Sequence, residues 1–126
     1  MAFLCPKCSN PRSLRIASSL ELPPDSRSDE IALQIVECVQ CGFTGVAVYE
    51  ESRLGALDAD SFHHTGYHVS AADLRSLRDM LERCPDPGNP RCQCATHRAL
   101  GKRDERGRWA GLDNVRCQQA FDLTLG

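Results

Sequence analysis

Ile31, Leu33 and Ile35 alternate with Ala32, Gln34 and Val36, the two-residue period of a half-buried strand. Upstream, Ser13 to Leu22 is moderately apolar with alternating character. Pro23-Pro24-Asp25-Ser26-Arg27-Ser28-Asp29 then supplies turn chemistry between the two strands. Gly45 to Tyr49 reads as a third short strand. Arg53 to Val69 shows no clear period, holds Gly55 and Gly66, and reads as a connector with a short helical turn. A helix follows: Ser70 caps it, Asp73 sits near the positive end of its dipole, and Ala71, Leu74, Leu77 and Leu81 mark one apolar face. Pro85 and the run Pro87-Gly88-Asn89-Pro90 stop it, which places Cys84 at its C-terminus. Arg98 to Gly101 finishes a second short helix, and Asp104-Glu105-Arg106-Gly107 is a turn in which glycine suits a positive φ. Trp109, Phe121, Leu123 and Leu125 are strand material returning to the core. The pattern predicts an α+β protein with an N-terminal antiparallel unit over 1–51. A helix-led unit with a C-terminal hairpin is predicted over 52–126.

The apolar supply is thin. Only 6% of the 126 residues are aromatic, and units short of core commonly lean on metals or disulfides. Eight cysteines make this concrete. Met1-Ala2-Phe3-Leu4 is too short for a signal peptide, and no apolar run approaches the ~20 residues that span a bilayer. The expectation is a cytoplasmic protein with no membrane association, where thiols stay reduced and metal thiolates are favoured over disulfides.

Spacing divides the cysteines into four, three and one. Cys5-Pro6-Lys7-Cys8 and Cys38-Val39-Gln40-Cys41-Gly42 are two CxxC hooks with 29 residues between them. Two intervening residues let both thiolates of a hook reach one metal, and Gly42 gives the turn a permissive backbone. Residues 1–50 resemble a zinc ribbon on these hooks. The resemblance implies a small antiparallel sheet clipped at one end by zinc, with a hairpin long for that family. Rubredoxin-like iron uses the same four-sulfur geometry and is the rival metal. Cys84, Cys92, Cys94 and His97 form the second set: three ligands lie within six residues, and the helix end delivers the fourth. Both sets are complete, so the expected cofactor is two structural Zn²⁺ ions per chain, neither with a position open for catalytic water.

The remaining chemistry is sparse. Cys117 stands alone and reads as a small buried hydrophobe. His63, His64 and His68, with Asp58 and Asp60 as orienting partners, form no recognised metal frame and read as packing and hydrogen-bonding residues. Arg98, Lys102, Arg103, Arg106 and Arg108 form the one basic cluster, interrupted by Asp104 and Glu105 and flanked by Trp109. Trp109 is either a core residue or, beside these cations, a contact point for a partner.

Charge narrows the function classes. The net formal charge is −2. Four thiolates with one zinc add −2 and three add −1, so the loaded chain carries about −5. Non-specific nucleic-acid binding draws on clustered Lys and Arg, and this balance does not favour it. No catalytic signature is complete. The leading expectation is a non-enzymatic zinc-binding protein that serves as a protein-interaction module or accessory subunit. Its partner surface would combine the basic tail near Trp109 with the edge strands of the first unit. A nucleic-acid or transcription-associated zinc-ribbon protein is the second class. A metalloenzyme or redox protein using the histidines or Cys117 is the third.

Overall fold

The computed structural model describes residues 2–52, 62–113 and 115–124, without the side chain of Gln118. It is a small, mostly-sheet domain with two short helices. Six strands run as an antiparallel meander in chain order: β1 (Ala2–Phe3), β2 (Leu14–Leu22), β3 (Glu30–Cys38), β4 (Thr44–Glu51), β5 (Phe62–Val69) and β6 (Cys117–Asp122). The helices are α1 (Ala71–Arg83) and α2 (Ala95–Leu100). The three strands expected before residue 51 are present. The expectation for Asp58, Asp60 and Leu125 lies outside the described residues.

Two expectations are corrected. Phe62–Val69 is a full strand rather than connector, paired with β4 from Val46↔Tyr67 to Glu51↔Phe62. Its period is hidden because one face carries Phe62, His64, Gly66 and His68, residues that do not read as aliphatic core. The expected C-terminal hairpin is reduced to one bridge, Arg103↔Trp109, around a turn in which Gly107 has φ +77°. The strand material after it, β6, pairs instead with β5, so the sheet passes from β4 through β5 to the C-terminal strand without a break.

The sheet curls into a half-barrel. Phe3 on β1 meets His64 on β5 with ring centroids 5.1 Å apart, although three strands lie between them in sheet order. The backbone closes the same gap: Leu4 N–H donates to Thr124 C=O at 2.7 Å. Irregularities in register fall at Ile16/Ser18 in the β2–β3 pair and at His68/Val69 in the β5–β6 pair, where bulges add twist and bend.

The curl separates two cores. On the convex face Leu20, Leu22, Ile31, Leu33, Ile35, Val46 and Val48 pack under Leu77 and Leu81 of α1 and Leu100 of α2. On the concave face Phe3, Leu14, Val36 and Ala47 gather with Cys5 and Cys38, and Phe43, Phe121 and Leu123 close over them. Gly66 is required here, because a Cβ at this position would stand 2.3 Å from the Phe121 ring. Helix α1 begins as expected, with Ser70 accepting from Asp73 N–H at 3.1 Å, and ends with Cys84 as its C-cap.

Candidate metal centres

Cys5, Cys8, Cys38 and Cys41 converge, and so do Cys84, Cys92, Cys94 and His97; within each group the ligand atoms lie within 4.8 Å of one another. All eight cysteines are unpaired thiols. The two sets therefore have the composition expected from spacing.

The first centre joins the start of the chain to the β3–β4 turn. Cys5 Sγ lies 3.6 Å from Cys41 Sγ, and Cys8 Sγ lies 3.7 Å from Cys38 Sγ. A tetrahedron with 2.3 Å Zn–S bonds has edges of about 3.8 Å, so the thiols already hold the spacing zinc needs. Each hook is built the same way. The N–H of Lys7 points at Cys5 Sγ at 3.4 Å, and that of Gln40 at Cys38 Sγ at 3.3 Å. One residue past each hook the backbone turns left-handed, at Ser9 (φ 61°) and at Gly42 (φ 78°). There it closes onto the first cysteine: Ser9 N–H to Cys5 C=O at 3.0 Å, Gly42 N–H to Cys38 C=O at 3.1 Å. Asn10 Nδ2 adds a donor to Cys8 Sγ at 3.4 Å, and Ser13 Oγ lies 3.3 Å from Cys38 Sγ. Burial opposes ionisation of Cys38, but Ser13 and the N–H groups of Cys41 and Gln40 prevail and bring its thiol down to about 6.

The second centre sits where α1 ends and α2 begins. Cys84 Sγ is 3.5 Å from Cys94 Sγ and 3.9 Å from Cys92 Sγ. His97 Nδ1 stands 3.3 Å from Cys84 Sγ and 3.2 Å from Cys94 Sγ, close to the ~3.5 Å sulfur–nitrogen edge of a zinc tetrahedron. The far ring nitrogen is also placed, with Nε2–H donating to the Glu21 carbonyl at 2.9 Å. That bond leaves Nδ1 as the free lone pair, the tautomer that binds metal. Cys94 does two jobs, because its sulfur also caps α2 by accepting His97 N–H at 3.4 Å. That donor, first among several, holds the Cys94 thiol down at about 6, whereas burial pushes Cys84 up to about 11. A metal ion held by these donors would supply the positive charge that keeps them deprotonated together.

The other expected residues are placed as follows. His64 Nε2–H donates to Gln34 Oε1 at 2.7 Å, and His68 packs between Phe43 and Phe121. His63 lies on the opposite face of β5, beside Glu50, Thr65, Tyr67 and Arg108. None of the three joins a metal cluster among the described residues. Cys117 is exposed at the start of β6, not the buried residue expected, because it falls at the bulge next to Val69 on the sheet's last strand.

Arg98, Lys102, Arg103, Arg106 and Arg108 are all exposed around a half-buried Trp109. Trp109 serves the core: it packs against the convex cluster, and its Nε1–H donates to Leu100 C=O at 2.7 Å. Its backbone N–H donates to Asp25 Oδ2 at 2.7 Å, and Ser26 N–H to Gly107 C=O at 3.0 Å, so the basic turn is fastened to the β2–β3 turn. Burial works against the Asp25 carboxylate, yet the N–H groups of Trp109, Ser28 and Arg27, with Arg108, hold it below its ordinary range.

Sequence reasoning missed the supporting residues. Glu21 acts through its backbone, which leaves no signature in residue type. Gln34, 7% exposed in the apolar run Ile31–Val36, was the visible signal for a polar contact inside the sheet.

Among the described residues no helix is long and apolar enough to cross a membrane. Comparison with family models, with curated proteins and with solved structures returns no match to this chain, so its two centres are read from their own geometry.

Proposed function

We propose that this chain is a non-enzymatic zinc-binding protein in which two structural zinc ions hold a rigid surface for a protein partner, as an interaction module or accessory subunit. The carrying observation is that each cluster offers four donors at tetrahedral spacing. A four-coordinate zinc with four protein ligands has no position for substrate or water. In this reading the first centre is a zinc-ribbon site extended by the hairpin β2–β3. The second fastens the helices to that sheet.

The partner surface is the basic turn Lys102–Arg108, and it favours an acidic partner. Its exposed cations stand on a turn braced by Asp25, Ser26 and Trp109, so little entropy is lost in presenting them. Two measurements test this. Elemental analysis of purified protein should give two zinc ions per chain and no iron. Capture from native extract should yield a reproducible partner that Lys102→Glu with Arg106→Glu no longer retains, at unchanged zinc content. One metal per chain, or a partner indifferent to those substitutions, refutes the respective half. Salt-sensitive binding to a mixed-sequence single strand or duplex would replace the protein partner with nucleic acid.

A further inference from the structure

The half-barrel is filled at one end and open at the other. Near the first metal centre Phe43, Phe121 and His68 close it with mutual ring contacts of 5.0–5.9 Å. At the far end of the concave face a cavity of about 490 Å³ remains, lined by Phe3, Ile16, Gln34, Tyr49, Phe62, His64 and Leu123. That volume lies within the ~300–1,000 Å³ of small-molecule sites.

Four of its seven described lining side chains are rings. Phe3 and Tyr49 each meet His64 edge-on, at 5.1 Å and 88° and at 5.4 Å and 90°. Phe62 lies nearly parallel to Tyr49, at 6.1 Å and 24°. Phe62 is 52% exposed, a large apolar ring left at the rim. Carboxylates stand at this rim. Glu51 pairs with Phe62 across the strands and accepts from Tyr49 O–H at 3.0 Å, and Glu30 stands directly opposite Glu51. No lysine or arginine is among the described residues that line the cavity.

We propose that this cavity binds a small organic cation bearing a methylated, quaternary ammonium group. Four rings, Phe3, Tyr49, Phe62 and His64, border this one cavity, and an aromatic face carries negative quadrupole density that a diffuse ammonium charge satisfies without hydrogen bonds. A carboxylate at the mouth adds long-range attraction. Burial lowers the His64 imidazole and keeps it neutral, so the wall contributes no competing positive charge. This site is independent of the metal reading, since no zinc ligand lines it.

The test compares two probes of one shape on the full, zinc-loaded chain: choline and 3,3-dimethyl-1-butanol, which carries carbon in place of nitrogen. Titration followed by NMR should show saturable choline shifts at Tyr49 and Phe62, with affinity at least about fivefold above the neutral probe. Glu51→Gln should weaken choline several-fold and leave the neutral probe unchanged, while Phe62→Ala should weaken both. Equal affinity for the two probes overturns the proposal, as does an absence of saturable choline binding up to about 50 mM. The wild-type comparison decides the matter even where a variant folds poorly.

Discussion

His97 reaches across 76 positions of sequence to place its Nε2–H on the Glu21 carbonyl, 2.9 Å away. Glu21 N–H in turn donates to Pro87 C=O at 2.8 Å. Both backbone groups of one β2 residue are therefore taken by the loop and helix of the second metal centre. The ligand that completes this centre is also the bolt that holds it to the sheet.

Those two roles separate in one substitution. His97→Cys keeps four donors but loses the hydrogen bond to β2. It should retain two zinc ions per chain and lose about 1–2 kcal/mol of stability in chemical denaturation. A variant as stable as the parent would mean the bond to Glu21 contributes nothing.

Removing single cysteines should sort them by role. Cys94→Ser deletes a ligand but leaves a good N-cap for α2, so its loss of one zinc and of thermal stability reports the metal alone. Cys38→Ser should do the same at the first centre. Cys117→Ser, exposed on the last strand, should keep both ions and shift stability by less than about 0.5 kcal/mol. Zinc released by chelator at neutral pH should loosen the parent protein as a whole. Unchanged circular dichroism and melting point after full metal removal would show that the fold stands without its ions.

The two hooks differ at one position that geometry treats alike. Ser9 and Gly42 share a left-handed backbone, and Ser9 is exposed with no side-chain contact described. A non-glycine residue carries a penalty there. Ser9→Gly should raise stability by about 1 kcal/mol and the melting point by about 3–6 °C, with zinc content unchanged. Calorimetry would reveal the opposite sign if the serine is needed.

His64 gives a pH signature. Burial lowers its folded pKa, so as pH falls the unfolded chain takes up this proton first. Its contribution is complete above the unfolded histidine value of about 6.5 and fades as pH drops below it. His64→Gln cannot take the proton, so the urea midpoint of the variant should fall less between about pH 7 and pH 5. Parallel curves for the two proteins would remove His64 from the linkage.

Local signals carried well from sequence to structure. The hooks at Cys5–Cys8 and Cys38–Cys41, the Ser70 cap and the cysteine at the end of α1 all depend on neighbours within a turn or two. Long-range features did not carry. Strand β5 lacks an aliphatic face because His64 and Gly66 look into the barrel, where Phe3 and Phe121 arrive from the two ends of the chain to complete the packing. The curl that joins Phe3 to His64 follows from contacts between residues 61 positions apart, which no window on the sequence contains. Trp109 admits two readings from sequence alone, and the hydrogen bond from its ring N–H to Leu100 C=O sets it in the core.

Strand β1 covers only Leu14 and Arg15 of β2, and beyond it the Glu21 backbone is met by Pro87 and His97. Were the second ion lost, those groups would be left as open pairing sites on a nine-residue strand rich in apolar side chains. Metal loss would then leave a strand edge open to strand-to-strand association, and metal supply would govern how much of this chain keeps that edge covered.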